Sequence, residues 1–307
     1  MQIIVLGAGA IGSLYGAKLA AAGNDVTLIG RPGHVAAINA NGLRIEGLES
    51  AVVRLRSAAS IDAIPPKTLI LVTTKVPDTR AAVSPIAALV REDTTIVALQ
   101  NGLGSEEILR EALQGRGLVL RGFTQFGAIF KEAGVIEFLA RGYTVLEQHE
   151  RSEEIARVLT AADLDCRLSS NIRRDVWYKL IVNCVVNPIT AMLGCEVGGI
   201  ANAELAPLKQ LIVAECLAVA ATQDIQFEGD LVREIDHFFR PSHNIASMLQ
   251  DLRRHRPTEI DYLNGAVAAL GARERIGCPV NAALTQIIKA MEAASLVPQK
   301  VLEPEPA

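Results

Sequence analysis

The opening residues MQIIVLGAGAIG constrain the fold more than any other stretch of the chain. The apolar run from 2 to 7 reads as a strand buried on both faces, and GAGAIG from Gly7 to Gly12 fits G-x-G-x-x-G in the context that pattern requires, after a strand and opening a helix. Gly7 permits the tight turn, Gly9 lets backbone approach a pyrophosphate, and Gly12 lets the helix sit close to the strand. Ala8, Ala10 and Ile11 complete the turn, and the helix N-terminus offers N–H groups and partial positive charge to phosphates.

Further buried strands at 25–30, 68–74 and 94–99 alternate with helices near 10–22, 32–40 and 78–90, as in a βαβ series. Shorter runs at 43–47, 51–56, 118–130, 134–139, 142–147 and 165–169 read as added, partly antiparallel strands. Beyond about residue 170 the strand signal stops, and helices are expected near 171–193, 203–224, 229–239, 242–254, 258–274 and 280–295. With 307 residues and roughly 150 per domain, two domains are expected. The expected fold class is α/β, with an N-terminal Rossmann-type doubly wound sheet over residues 1–169 and an all-helical C-terminal domain over 170–307.

Charge narrows the function. Thirty Lys and Arg against 34 Asp and Glu leave a net charge of −4, and half of the chain is hydrophobic. That excludes a disordered chain and argues against a protein that grips nucleic acid or acidic membrane through excess positive charge. The cysteines at 166, 184, 195, 216 and 278 show no short ligand spacing and read as reduced core residues; no metal is expected. The start lacks a basic leader, and the greasiest stretch, Leu180 to Cys195, falls short of the ~20 residues of a membrane span. A soluble, cytoplasmic protein is the expectation.

A dinucleotide is the ligand these elements suggest. An NAD site carries an acid at the end of the second strand, but here that strand ends LIGRP, with Arg31 and no carboxylate. A guanidinium pairs with a 2′-phosphate that a carboxylate would repel, so NADPH/NADP+ is expected. Ligands of open sheets sit at the carboxyl ends of strands, which brings in Lys75, after LILVTT, and Asn101, after TIVALQ. Lys75 would meet a phosphate or ribose, and Asn101 the nicotinamide or a substrate carbonyl; Asn101-Gly102 is also a common turn dipeptide.

The helix NIRRDVWYKLIVNCVVNPITAML places Lys179, Asn183 and Asn187 at i, i+4 and i+8, hence on one face of its most apolar half. Burying an ammonium and two amides costs free energy unless each finds partners, so this stripe must meet water, another polar element or a ligand. Pro188 withholds a donor from the Cys184 carbonyl and should bend the helix there. Farther on, Pro257 separates a helix carrying Ser247 from one with Glu259 in its first turn, where the helix dipole favours the carboxylate.

Taken together, GAGAIG, Arg31, LVTTK ending at Lys75, LQNGLG with Asn101, WYKLIVNCVVNPITAM and SMLQDLRRHRPTEIDYLNG resemble the ketopantoate reductases (2-dehydropantoate 2-reductases), in the same order over nearly the whole chain. The resemblance implies reduction of ketopantoate to (R)-pantoate by NADPH, toward pantothenate and coenzyme A, with the substrate between a Rossmann domain and a helical one. It implies Lys179 as general acid, Glu259 as ligand of a substrate hydroxyl, Ser247 as ligand of the carboxylate, and Asn183 and Asn187 as orienting groups. Lys75 and Asn101 would line the cofactor and the reaction centre. MLGCEVGGIAN departs from the pattern by lacking an Asn that some members place in that turn, which bears on fine specificity.

The chemistry is consistent with this. Hydride addition to a 2-oxo acid builds negative charge on the carbonyl oxygen, and an ordinary lysine, with a reference pKa of ~10.4, stands ready as an ammonium to stabilise and protonate it. An ionised Glu259 would repel the substrate carboxylate and so belongs at the hydroxyl end. Two alternatives share much of this pattern: a reductase of another 2-oxo acid or a β-hydroxyacid dehydrogenase, and a non-catalytic NADPH sensor. The expected partner is a small 2-oxo acid, with neither nucleic acid nor membrane; a homodimer is compatible with the sequence and not required by it.

Overall fold

The computed structural model describes residues 1–296, and they fall into two compact units, Met1–Val176 and the chain from Trp177 on. The dividing point lies within one long helix, after its first turn.

The first unit contains β1 (Gln2–Leu6), α1 (Ala10–Ala21), β2 (Asp25–Ile29), α2 (Pro32–Asn41), β3 (Leu43–Gly47), β4 (Ala51–Val53), β5 (Arg56–Ala58), β6 (Leu69–Val72), α3 (Thr79–Val83), β7 (Thr95–Ala98) and α4 (Ser105–Ala112). It continues through β8 (Leu118–Thr124), β9 (Gly127–Glu132), β10 (Val135–Ala140), β11 (Thr144–Glu147), α5 (Ser152–Ala161) and β12 (Cys166–Ser169) into the start of α6 (Ile172–Leu193). Eight strands form one sheet in the order β12-β11-β8-β7-β6-β1-β2-β5, parallel throughout except between β8 and β11. The chain leaves β1 toward β2 on one side and returns to β6 on the other, which makes the β1/β6 boundary the switch point of a Rossmann-like sheet.

Both faces of this sheet are buried, and the sequence shows why. Ile3 and Val5 enter one apolar core with Leu14, Tyr15 and Leu159, while Ile4 and Leu6 enter another with Val83, Ile86 and Leu109. Leu69 and Leu71 alternate with Ile70 and Val72 in the same way. Strand side chains alternate faces, so only a continuous apolar run can feed two cores at once. A second sheet, β4-β3-β10-β9, adds Leu43, Ile45, Ile136 and Phe138 to the first core. His34 ties these layers: its Nδ1 accepts from Gly134 N at 2.9 Å and its Nε2 lies 3.1 Å from Ser13 Oγ. Burial lowers its pKa, which favours the neutral ring that this acceptor role requires.

Some elements differ from expectation. Helices α4 and α5 lie outside the expected helices, although each opens with Ser-Glu-Glu, acids in the first turn being a helix-start signal. The helix expected over 78–90 is instead the five residues of α3 flanked by 3-10 turns, because Pro85, inside that span, withholds the donor a continuous helix needs.

The second unit consists, among the described residues, of helices and turns: the rest of α6, then α7 (Ala206–Ala221), α8 (Leu231–Phe239), α9 (Ser247–Arg253), α10 (Asn264–Arg273) and α11 (Pro279–Leu296). The helix expected from 242 begins only at Ser247, because residues 242 and 244 instead accept hydrogen bonds from Gly198 N and Val197 N. Likewise 260–262 forms a 3-10 turn ahead of α10. By length and composition α6 is long and apolar enough to cross a membrane, but 72% of its apolar window is buried in the folded chain.

Pro188 lies inside α6, and the Cys184 carbonyl that it leaves without a helical donor is taken by Asn264 Nδ2 at 3.0 Å. The same amide group donates to Asn281 Oδ1 at 2.9 Å, and Asn281 in turn donates to Glu215, whose carboxylate also receives the Val280 and Asn281 N–H groups that open α11. Asn264 and Asn281 are fully buried, so this network joins α6, α7, α10 and α11 where solvent cannot substitute. Asn264→Ala leaves the Cys184 carbonyl buried without its donor and should cost about 1–3 kcal/mol. A urea titration reads this as a lowered midpoint at constant slope; an unshifted midpoint would show that this carbonyl needs no such support.

Candidate functional site

The glycine turn is held from two sides. Gly7 N and Ala8 N donate to Ile29 O of β2, and Thr73, just after β6, donates through Oγ1 to Gly7 O at 2.8 Å and through N to Leu6 O. Gly7 has φ +115, and a Cβ there would lie 2.6 Å from Thr74 N. One on Gly12 would lie 2.0 Å from Gly7 O and 2.4 Å from Thr73 Oγ1. Both glycines are therefore dictated by the approach of α1 to the switch point. Gly9 is different: it has φ −77, and a Cβ there would meet nothing within 4 Å. Internal packing does not explain it, whereas a ligand against that open backbone would. Gly9 is also the N-cap of α1, with no side-chain cap and no acid in the first turn, so no side chain of that turn answers the partial positive charge of the helix end.

At the end of β2, a Cβ on Gly30 would lie 2.5 Å from the Ala8 Cβ, so this backbone has no room for a carboxylate at that position. Arg31 follows as the exposed N-cap of α2. Lys75, partly buried, precedes the 3-10 turn after β6, and Asn101, partly buried, follows β7. The turn, Arg31, Lys75 and Asn101 thus follow the carboxyl ends of β1, β2, β6 and β7, neighbours in the sheet. A cavity of about 280 Å³ lies at the opposite end, lined by Gln2, Lys67, Thr95 and Arg151, away from where open α/β sheets bind ligands.

In the second unit, α6 carries Lys179 and Asn187, 8% and 5% exposed, with the half-buried Asn183 between them. Asn187 Oδ1 accepts from Ser247 Oγ at 3.1 Å and from Met248 N at 3.3 Å, so it caps α9 and fixes its first residue. The stripe is therefore partly structural, with Asn187 Oδ1 committed to α9. Ser247 has a single O–H, which it must withdraw from Asn187 to donate elsewhere. Glu259 is half-buried in the turn between α9 and α10, as N-cap of a 3-10 turn rather than inside a helix. Among the described residues, no group of three or more His, Cys, Asp or Glu side chains is placed to hold a metal ion.

Thr73, Arg121 and Asn264 are not among the residues expected from the sequence. Thr73 carries no signal beyond its place after a strand. Arg121 interrupts an apolar strand, LVLRGFT, in the way that made Lys179 conspicuous. Asn264 is recognisable only once the Cys184 carbonyl that Pro188 leaves open is seen to need a donor.

Comparison with known proteins covers both units. The family profile described as "Ketopantoate reductase PanE/ApbA" matches residues 3–151, and its C-terminal counterpart matches 171–292. The 2-dehydropantoate 2-reductase of Pyrococcus horikoshii is 38% identical over 300 residues, covering 95% of this chain and 98% of its own. That of Vibrio cholerae is 31% identical with the same coverage. Among solved structures, a PanE/ApbA family ketopantoate reductase from Ralstonia eutropha superposes with a TM-score of 0.87 at 28% identity, covering 96% of this chain and 99% of its own. A ternary complex of D-mandelate dehydrogenase with NADH and anilino(oxo)acetate does so with 0.89 at 27%, covering 97% and 100%.

The glycines should separate by stability. Gly12→Ala forces backbone apart and is expected to cost about 1–3 kcal/mol, whereas Gly9→Ala should stay within about 0.5 kcal/mol of the parent. Thermal melts of both variants without ligand check this; equal losses would remove the distinction between a packed and an open glycine.

Proposed function

The chain belongs to the ketopantoate reductase PanE/ApbA family, and from that premise we propose that it reduces 2-dehydropantoate (ketopantoate) to (R)-pantoate with NADPH, using Lys179 as the general acid. The observation that carries this reading is the polar face of α6. A buried lysine shares that face with Asn187, which is itself tied to Ser247 on another helix. A sensor that only binds nucleotide has no use for such a lysine.

The first unit is the dinucleotide-binding domain in this reading. The open backbone at Gly9 and the uncapped start of α1 fit a pyrophosphate, with Ala8, Ala10 and Ile11 completing the turn. Arg31 pairs with the 2′-phosphate, a preference reinforced by the absence of room for a carboxylate at Gly30. Lys75 serves the phosphate or ribose, and Asn101 the nicotinamide or the substrate carbonyl. When bound, NADPH supplies the hydride that reduces the carbonyl carbon of the substrate.

The second unit supplies the proton and the substrate contacts. Lys179 stabilises the negative charge that grows on the carbonyl oxygen and donates the proton that completes the alcohol, so one hydride and one proton are consumed per turnover. Lys179 then recovers its proton from water. Asn183 and the Nδ2 of Asn187 orient the substrate, Ser247 swings its hydroxyl from Asn187 to the carboxylate, and Glu259 accepts from the 4-hydroxyl. The partner is a small anionic 2-oxo acid; the reaction belongs to a soluble enzyme of the cytoplasm, and homodimeric assembly is compatible with it.

The likeness to D-mandelate dehydrogenase favours one second reading, reduction of a 2-oxo acid that lacks the 4-hydroxyl, with NADH. Initial rates on ketopantoate and on its 4-deoxy analogue separate the two. A site built to bond a hydroxyl rejects the analogue by up to ~10⁴ in kcat/KM, and equal rates would remove the role of Glu259. Lys179→Ala should lower kcat by ~10²-fold or more with NADPH affinity nearly intact; an unchanged rate rejects the general acid. Arg31→Ala should raise KM for NADPH and leave that for NADH nearly unaltered, and equal increases would exclude a 2′-phosphate contact.

A further inference from the structure

Arg121 sits in the middle of β8, flanked by leucine and glycine in an apolar strand, and is only 3% exposed. A guanidinium in that position is expensive unless its donors are used. They are used almost entirely on one stretch of backbone: Nη1 donates to Ala98 O at 3.0 Å and to Gly122 O, and Nη2 donates to Gln100 O at 2.9 Å and Gly102 O at 2.8 Å. Nε lies 3.2 Å from Glu106 Oε2, off the N–H direction, so that contact is an ion pair and not a hydrogen bond. Glu107 and Glu147 add negative potential around it.

The location explains the arrangement. The β7–β8 ladder ends at the pair Ala98–Arg121, and the chain then turns away through Gly102 and Gly104, with φ of +79 and +84. Past that point the carbonyls of the loop that follows β7, Gln100 and Gly102 among them, have no β8 residue paired with them. The planar fork of Arg121 extends the sheet by side chain, taking carbonyls 98, 100 and 102 in sequence. The two carbonyls on either side of Asn101 are thereby anchored to one rigid group, and the Gln100 side chain is fixed to Thr79 Oγ1 at 2.7 Å.

We propose that Arg121 is a positioning residue for the reduction: it touches neither substrate nor cofactor, and it acts by holding the Asn101 peptide at the angle the reaction centre needs. The inference rests on the reading that Asn101 serves nicotinamide or substrate. Lysine cannot replace the arginine, since a point charge with three donors does not reproduce the fork.

A double-mutant cycle tests this with Arg121→Lys, Asn101→Ala and the pair, in the full-length enzyme, reading both kcat/KM with ketopantoate and NADPH affinity by fluorescence titration. Arg121→Lys should lower kcat/KM by ~10-fold or more in the parent and by less than ~2-fold in the Asn101→Ala background. Equal losses in both backgrounds would overturn the proposal and mark Arg121 as purely structural. Should Asn101→Ala cost nothing in either readout, the assignment of Asn101 fails and the proposal with it. Without turnover of ketopantoate, the substrate reading fails separately, and the same cycle read on NADPH affinity decides the proposal. If Arg121→Lys does not fold, Glu106→Gln, which loosens the arginine without cutting its carbonyl bonds, takes its place: a loss abolished by Asn101→Ala supports the proposal, and an additive loss contradicts it.

Discussion

The contact of Gly12 against the Gly7 carbonyl, with Thr73 hydrogen-bonded to the same oxygen, fixes the first unit more than any other interaction. It joins the first strand, the first helix and the strand on the far side of the switch point at one spot. Because α1 lies so close, its N-terminus opens at the carboxyl edge of the sheet, where the ends of β2, β6 and β7 also finish. The position of the anion-attracting turn and of Arg31, Lys75 and Asn101 follows from that single close approach, since every neighbouring strand is registered to β1 or to a strand paired with it.

A common economy runs through both units. Each places a polar group in an apolar element and satisfies it with backbone carbonyls that have lost their regular partners. Arg121 takes the carbonyls beyond the end of the β7 ladder, and Asn264 takes the Cys184 carbonyl that Pro188 strands within α6. Buried donors and irregular backbone thus cancel each other's desolvation cost. The loop after β7 carries Asn101, and α6 carries Asn183 and Asn187, residues that the proposed chemistry uses.

Much of this was legible in the sequence, for stated reasons. Strands buried on both faces announce themselves as continuous apolar runs, and the stripe of Lys179, Asn183 and Asn187 stands out against a helix that is otherwise greasy. The separate roles of the three glycines were less accessible: the pattern treats them alike, whereas the structure packs Gly7 and Gly12 and leaves Gly9 open. Helices α4 and α5 are legible only in their Ser-Glu-Glu starts. The bond between Asn187 and Ser247 spans 60 positions and no local spacing encodes it. Arg121 was visible as an anomaly, but its meaning depends on which carbonyls lie opposite, and that is a property of the fold.

The central claim is that a hydride passes from NADPH to the carbonyl carbon of ketopantoate on this protein. The direct measurement uses NADPH deuterated at C4, prepared in each of its two stereochemical forms, with ketopantoate and mass spectrometry of the product. The account predicts pantoate carrying one deuterium at C2 from one of the two forms and none from the other. Oxidation of NADPH without deuterium in pantoate from either form, or no pantoate at all, would contradict it.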